Sequence, residues 1–422
     1  MLTSKFPHNW TSKTLRQIAK IGTGGTPLRS KVDKYFLNGT IPWIKTTDLN
    51  NGLITNTQEQ ITECAIEESS CKILPKNTIL VAMYGGFRQI GRTGLTQIEA
   101  ATNQAISSLV INQKEAFPVF VLYWLNHSVG YWKRFAASSR KDPNISKNEV
   151  ASFPILLPPL PEQKKIAEVL LTWDTAIDMT EQLVLTKKKF KKALMQQLLT
   201  GKKRFSRFGK PTYQNDNHPK DWIQTRLGDI VKVLFSNVDK KSYHGQRRVH
   251  LCNYLDVYNN LYITQDMNFM EASASDSEIR KFSLKQGDVL ITKDSETPDD
   301  IAHSATVREP LENIICGYHL GILRPKDGIS GLFLGHLLML PSIRYQFTRI
   351  ANGAIRFGLG LEDIKKVPLV IPTEFHEQED IANILMACDY ELLKLDNRIQ
   401  LFKQQKKGLM QKLLTGKVRV KV

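Results

Sequence analysis

The side chains best equipped to recognise another molecule sit in or beside glycine-rich stretches. GTGGTP at 22–27 sets Gly24, Gly25 and Thr26 just ahead of Arg29 and Lys31, and YGGFRQIGR at 84–92 gathers Tyr84, Arg88, Gln89 and Arg92 around three glycines. Further on come a basic run from Lys240-Lys241 to Arg247-Arg248 interleaved with Tyr243 and His244, the group Lys293-Asp294-Ser295-Glu296, and NGAIRFGLG at 352–360 with Asn352 and Arg356. Arg and Lys suit the guanine edge, Asn and Gln the adenine edge, and hydroxyls or backbone the phosphates. Glycine lets a loop backbone approach a surface closely. The chain carries 58 Lys and Arg against 41 Asp and Glu, a formal charge of +17, which points to a polyanionic partner, nucleic acid first and an anionic membrane second. For each glycine an ordinary turn is the competing reading, and for each charge a solvated surface. Asn103 and Gln104, just before an apolar run, are read as structural.

Motifs for catalysis are missing. Transfer of a methyl group to a base amino group calls for Asn/Asp-Pro-Pro-aromatic, and Asp142-Pro143-Asn144-Ile145 is the nearest approach. GTGGTP is followed by neither a Rossmann-type helix nor a ribose-binding acid, and Gly201-Lys202-Lys203 lacks the upstream glycine and the Ser/Thr of a nucleotide-binding P-loop. Nine histidines include no HExxH, and five cysteines (64, 71, 252, 316, 388) form no CxxC pair, so neither a metal site nor a disulfide framework is expected. No run of eighteen apolar residues occurs, and the opening MLTSKFPHNW has no signal-peptide core. A cytoplasmic, non-catalytic binding protein without cofactors is the expectation.

Two long helices organise the chain. From Pro161 to Gly201 apolar residues recur at steps of four and three, putting Ile166, Leu170, Trp173, Ile177, Val184, Leu194 and Leu198 on one seam. Such a helix is roughly 58 Å long. A shift of 215 positions (377 − 162) lays Glu162-Gln163 on Glu377-Gln378, Ile166-Ala167 on Ile381-Ala382, Asp174 on Asp389, and Leu198-Leu199-Thr200-Gly201-Lys202 on Leu413-Leu414-Thr415-Gly416-Lys417 without a gap. The second seam reads Ile381, Leu385, Cys388, Leu392, Leu395, Ile399, Phe402, Leu409 and Leu413. The chain is therefore a tandem duplication. Each seam wants a partner helix, and an antiparallel pair with one globule at either end satisfies both. Lys187, Lys191 and Lys406 interrupt the seams and need water or an acid at their tips.

Ahead of each helix lies a globule of short apolar runs and tight turns, with one helix expected at Phe117–Phe135. The expected divisions are a first globule at 1–158, a helix at 159–201, a basic connector at 202–210 that is flexible or faces a DNA backbone, a second globule at 211–371, a helix at 372–416 and a tail at 417–422. The fold class is α+β: two β-rich globules separated by two long antiparallel coiled-coil helices, with a pseudo-two-fold repeat. The helices have stayed alike while the globule surfaces have drifted, as expected if the helices share one task and the globules read different targets. By alignment, Lys293–Glu296 stands where Tyr84–Arg88 does, and the loop at 352–360 where Ser139–Asn144 does.

PLPEQKKIAEVL at 159–170 with LMQQLLTGKKRF at 194–205, together with GTGGTP, IPWIKTTDL at 41–49, ILVAMYGG at 79–86 and ATNQAI at 101–106, resembles the specificity (S) subunit of type I restriction–modification systems. PTEFHEQEDIA at 372–382 departs from the usual lead. The resemblance implies that each globule is a target recognition domain for half of a split double-stranded DNA site. It implies that the helices set the half-site spacing and dock two modification subunits, which use S-adenosylmethionine, and that restriction subunits using ATP and Mg complete the complex. A protein-binding scaffold, a specificity subunit of a non-translocating relative, and an enzyme of unfamiliar motif are the alternatives.

Overall fold

In the computed structural model of the chain the described residues are 6–86, 88–136, 144–212 and 218–421, the side chains of 133–136 excepted. They fall into two compact units, Met1–Glu181 with Asn397–Val422, and Gln182–Asp396.

The first unit is built on the strand Thr78–Ala82, buried at every residue. It lies in the middle of a five-stranded sheet ordered Ala19–Thr23, Ile106–Ile111, Thr78–Ala82, Thr93–Thr96, Leu53–Ile54. Because side chains alternate across a strand, Ile79 and Val81 enter one core, with Phe120, Tyr123, Ile155 and Ile166, while Leu80 and Ala82 enter another, with Ile44, Leu49 and Ile54. This two-sided burial explains the unbroken apolar run TILVA. A three-stranded sheet (Glu59–Ile61, Ile41–Ile44, Ala101–Thr102) and an antiparallel pair (Thr11–Thr14 with Pro154–Leu157) complete the unit.

The second unit repeats this topology strand for strand. Its five-stranded sheet runs Val231–Phe235, Leu320–Pro325, Val289–Thr292, Ser304–Val307, Tyr262–Ile263, beside a three-stranded sheet of Met270–Ala274, Arg247–Cys252 and Ile314–Cys316. Val289 and Ile291 again face one core and Leu290 the other. One further sheet occurs among its described residues: Asp294–Ser295, Phe357–Leu359 and Ala351–Asn352. Of the stretch that corresponds by sequence, Ser139–Asn144, residues 139–143 lie outside the described residues.

The helix expected at Phe117–Phe135 is two, Pro118–His127 and Val129–Ala136. Ser128 leaves helical geometry at φ −97°, ψ 15°, a residue type that competes for backbone hydrogen bonds. The counterparts, Gly331–Leu338 and Pro341–Ile350, are separated by Met339 and Leu340, and the position of Leu340 before a proline disfavours helix.

The long helices run Leu160–Leu198 and Phe375–Leu413, 39 residues each. In the first unit the start of one lies against the end of the other: Ile166 and Leu170 share a core with Leu409 and Leu413, and Trp173 meets Phe402 edge-on with ring centroids 5.6 Å apart. In the second unit Ile381 and Leu385 do the same with Leu194 and Leu198. The pairing is antiparallel in both. Ile177, Val184 and Ile399 are buried, and Leu392 and Leu395 half-buried. Ile166, Leu170, Ile381 and Leu385 do more than pair helices, because they also belong to the cores of the globular parts. All three seam lysines meet acids: Lys191 donates to Asp389, Lys406 to Asp174, and Lys187 to Glu391 at 2.9 Å.

Two glutamines fasten helix to globule in the same way in each unit. Phe117 N donates to Gln163 Oε1 (2.8 Å) while Gln163 Nε2 donates to Pro158 O (2.8 Å); Ser330 N donates to Gln378 Oε1 (2.9 Å) while Gln378 Nε2 donates to Pro372 O (3.0 Å). The stretch after the first helix is anchored where a flexible connector was one expectation, while Lys202, Lys203 and Lys210 stay exposed. Arg204 is buried on Glu377, and Arg207 pairs with Asp380, because a buried carboxylate demands a cation. The tail is likewise engaged: Arg419 holds Glu162 at 2.6 Å and Val420 packs on the core.

Candidate nucleic-acid interface

In the first unit three segments meet where the strand Thr78–Ala82 ends. Met83 N donates to Ala105 O (2.8 Å), Gly24 N to Ile106 O (3.3 Å), Gly25 N to Thr102 O (2.9 Å), and Ile145 N to Met83 O (2.9 Å). Thr26 hydrogen-bonds Gln104 across this junction. Gly24 and Gly25 have an internal reason to be glycine: a Cβ would sit 2.1 Å from Thr102 O at Gly24 and 2.3 Å from Ser70 Oγ at Gly25. Arg29 is held by Glu59 at 2.6 Å and lies 4.3 Å over the Phe36 ring, sharing that carboxylate with Lys45.

Tyr84 and Arg88 are exposed, on a turn whose Gly85 and Gly86 have φ of +108° and +75°, values that favour glycine. Arg88 carries no ion pair among the described residues. Arg92 is half-buried. Three buried polar atoms at this junction lack partners: Gln89 Oε1, Thr102 Oγ1 and Asn103 Oδ1. Unsatisfied groups of this kind are costly unless a ligand or water meets them.

The second unit builds the same junction with other side chains. Lys293 N donates to His319 O (3.1 Å) and Ser236 N to Leu320 O (3.3 Å), so Lys293 occupies the place of Met83, and Asp294 that of Tyr84. The Lys293 ammonium lies between the rings of Tyr318 (4.6 Å) and Phe235 (5.2 Å). The extra sheet brings Lys293, Ser295, Asn352 and Arg356 together, with Asp294 opposite Gly358 and Ser295 opposite Phe357. Within that group Ser295 is buried and donates to Thr297 O (2.5 Å), and Asn352 Nδ2 donates to Ile350 O (3.1 Å). Arg356 is exposed.

Arg247 and Arg248 are not part of this group. They start the strand Arg247–Cys252, whose other end meets the junction through Gly317 N and Cys252 O (2.8 Å), about 17 Å along the strand. Arg247 faces Asp276 at 3.5 Å, and Arg248 lines a separate groove of about 680 Å³ with Tyr243, His250, Glu271 and Asn313.

Residues 7–186, and again 219–401, match the family described as the type I restriction modification DNA specificity domain. The chain belongs to that family. It is 23% identical over 435 residues to the MjaIX type I restriction enzyme specificity subunit of Methanocaldococcus jannaschii, covering 99% of this chain and 95% of that one. It is 28% identical over 169 residues to the EcoR124I/EcoR124II specificity subunit of Escherichia coli, covering 39% of this chain and 40% of that one. Among solved structures, the type I restriction–modification S subunit from M. genitalium superposes with a TM-score of 0.62 at 16% identity, covering 98% of this chain and 97% of that one. The chain is thus a type I specificity subunit with two specificity domains.

In the second specificity domain the structure adds residues that the sequence did not single out. Tyr254 and Tyr258 stack at 5.5 Å, and Tyr258 lies 4.3 Å from the His303 ring. The Tyr258 hydroxyl donates to Asp300 at 3.2 Å; His303 Nε2 lies 2.8 Å from Asp300 Oδ1 and 3.2 Å from Arg344 Nη2. The Asp300 charge pushes the Tyr258 phenol above its ordinary range, and burial does the same to Tyr254. These residues come from three segments up to 90 positions apart, with no shared motif. A Tyr-Leu-Asp-Val-Tyr spacing on the helix Tyr254–Tyr258 was the single local signal. Among the described residues no group of three or more His, Cys, Asp or Glu could hold a metal, and no helix is long and apolar enough to cross a membrane.

Proposed function

We propose that this specificity subunit is the non-catalytic DNA reader of its complex: each specificity domain reads one half of a bipartite, asymmetric double-stranded site, and the paired helices set the spacer and dock two modification subunits. One observation carries the reading. The two junctions share their backbone hydrogen bonds, Met83 to Ala105 and Lys293 to His319, yet display different side chains, Tyr84, Arg88 and Gln104 in one and Asp294, Tyr318 and Arg356 in the other. A common frame with divergent surface groups suits two different base sequences. Base modification would belong to the partner subunits with S-adenosylmethionine, and ATP- and Mg-dependent cleavage to restriction subunits, in the cytoplasm.

The test is single-molecule methylation sequencing of DNA from cells that co-express this chain with its modification subunit. A split adenine-methylated motif that vanishes when this chain is omitted is expected, and exchange of residues 1–158 should alter one half alone. Methylation of the same motif by the partner without this chain would overturn the reading.

A further inference from the structure

Ile355 is 91% exposed, more than any other large apolar side chain among the described residues. It sits in the turn between Ala351–Asn352 and Phe357–Leu359, which pair with Ala351 opposite Leu359 and Asn352 opposite Gly358. The second of these strands also pairs with Asp294–Ser295, so the hairpin grows out of the junction that holds Lys293. Gly353 closes the turn at φ +150°, where any Cβ would fall 1.9 Å from Arg356 O. Ile355 is therefore held in water by a hydrogen-bonded ribbon, with exposed Arg356 next to it in the chain and exposed Asn352 at the start of the turn.

We propose that this hairpin is a major-groove reading ribbon of the second specificity domain, and that Ile355 contacts the C5-methyl group of a thymine in the half-site that domain reads. The major groove admits a two-stranded β-ribbon, and the thymine methyl is the apolar feature of its edge code. One branched side chain flanked by a cation and an amide is far too small for a protein-docking patch. It does match a single methyl group set among base edges and phosphates. Because the turn is already ordered, little conformational freedom remains to be lost on contact.

The proposal rests on the reading of this domain as a DNA reader, and the experiment separates the two. The half-site is first defined as the half of the methylated motif that changes when residues 211–371 are exchanged. Each thymine in it is then replaced singly by uracil, which removes only the methyl group. Binding to the complex of this chain with its modification subunit is measured by competition. At one position uracil should weaken binding about three- to tenfold, the size of one buried methyl contact. The Ile355→Ala complex, with an unchanged melting temperature, should bind thymine and uracil duplexes alike there and keep its discrimination in the other half-site. Equal binding of thymine and uracil duplexes by the unaltered complex at every position, with sequence-specific binding intact, overturns the hairpin assignment and leaves the DNA-reading function standing. The same uracil penalty in the Ile355→Ala complex also overturns it. A complex that binds all duplexes alike overturns both.

Discussion

The guanidinium of Arg204 closes a two-pronged ion pair on Glu377, Nε to Oε1 and Nη2 to Oε2 both at 2.7 Å, with both side chains almost wholly removed from water. The residues that align with them across the repeat, Arg419 and Glu162, form the same fork. In each unit the arginine at the end of one repeat therefore holds the glutamate that opens the other repeat's helix. A buried carboxylate stripped of its cation is strongly destabilising. Arg204→Met is expected to cost about 3–5 kcal/mol in urea unfolding, and Arg204→Lys to recover only part, because a lysine cannot reproduce the fork. Arg419→Met should cost less, since that side chain is 42% exposed. An equal loss at both positions would contradict the role given to burial.

Lys191 and Asp389 form a buried pair in the helix seam, with Tyr262 donating a second hydrogen bond to Asp389 at 2.9 Å. Lys191→Leu alone should cost about 3–5 kcal/mol by stranding the carboxylate. Lys191→Leu with Asp389→Leu should return most of that stability, because two well-packed apolar residues can replace a buried pair at little loss. A double variant no more stable than the single one, by thermal and urea unfolding, would sink this account.

His336 is buried beside that pair. Its Nε2 lies 3.1 Å from the Tyr262 hydroxyl, which is already donating to Asp389, so the ring carries its proton on Nε2 and Nδ1 lacks a partner. Burial first, and the Lys191 charge second, lower its pKa to about 3. The folded value lies below the unfolded one of about 6.5, so the unfolded chain binds the proton more readily. The neutral ring's contribution is complete above about pH 6.5 and is lost as pH falls from there toward 3. About 2 kcal/mol should be gone by pH 5, and in His336→Gln the slope over that interval should shrink by that amount in urea titrations at each pH.

Arg88→Ala and Lys293→Ala should each relax base choice in one half-site only, by about 1–3 kcal/mol of discrimination. Arg248→Ala, in the separate groove, should leave base choice intact and at most lower the salt dependence of binding. Competition binding with single-base variants of the site reads both. Relaxed specificity in Arg248→Ala would show that the second domain reads DNA with a different face.

Much of the architecture was legible because it rests on local periodicity. The steps of four and three through Ile166, Leu170 and Trp173 state a helix with one apolar stripe, and the ungapped match of Glu162-Gln163 to Glu377-Gln378 states the duplication. The short apolar run at Thr78–Met83 stated a strand, and its burial on both faces emerged only in the folded chain. The candidate site was legible only in part. Tyr84 and Arg88 were marked by the glycines around them, whereas Gly24 and Gly25 carry the same mark for an internal reason, the close approach of Thr102 O and Ser70 Oγ.

By itself, then, the sequence determined two repeats, their long helices and a basic chain without catalytic motifs, all properties of composition and of spacing along the backbone. Tertiary structure alone decided which charges are still free and which surfaces coincide. Arg29 met Glu59, thirty residues away, and Arg204 found Glu377 across 173 positions. Lys293 joined Arg356 through a shared sheet while Arg248 was carried to the far end of a strand. The reason is physical: helix and strand periods are written in neighbouring residues, but an ion pair or a reading surface depends on where distant segments come to lie once the core has closed.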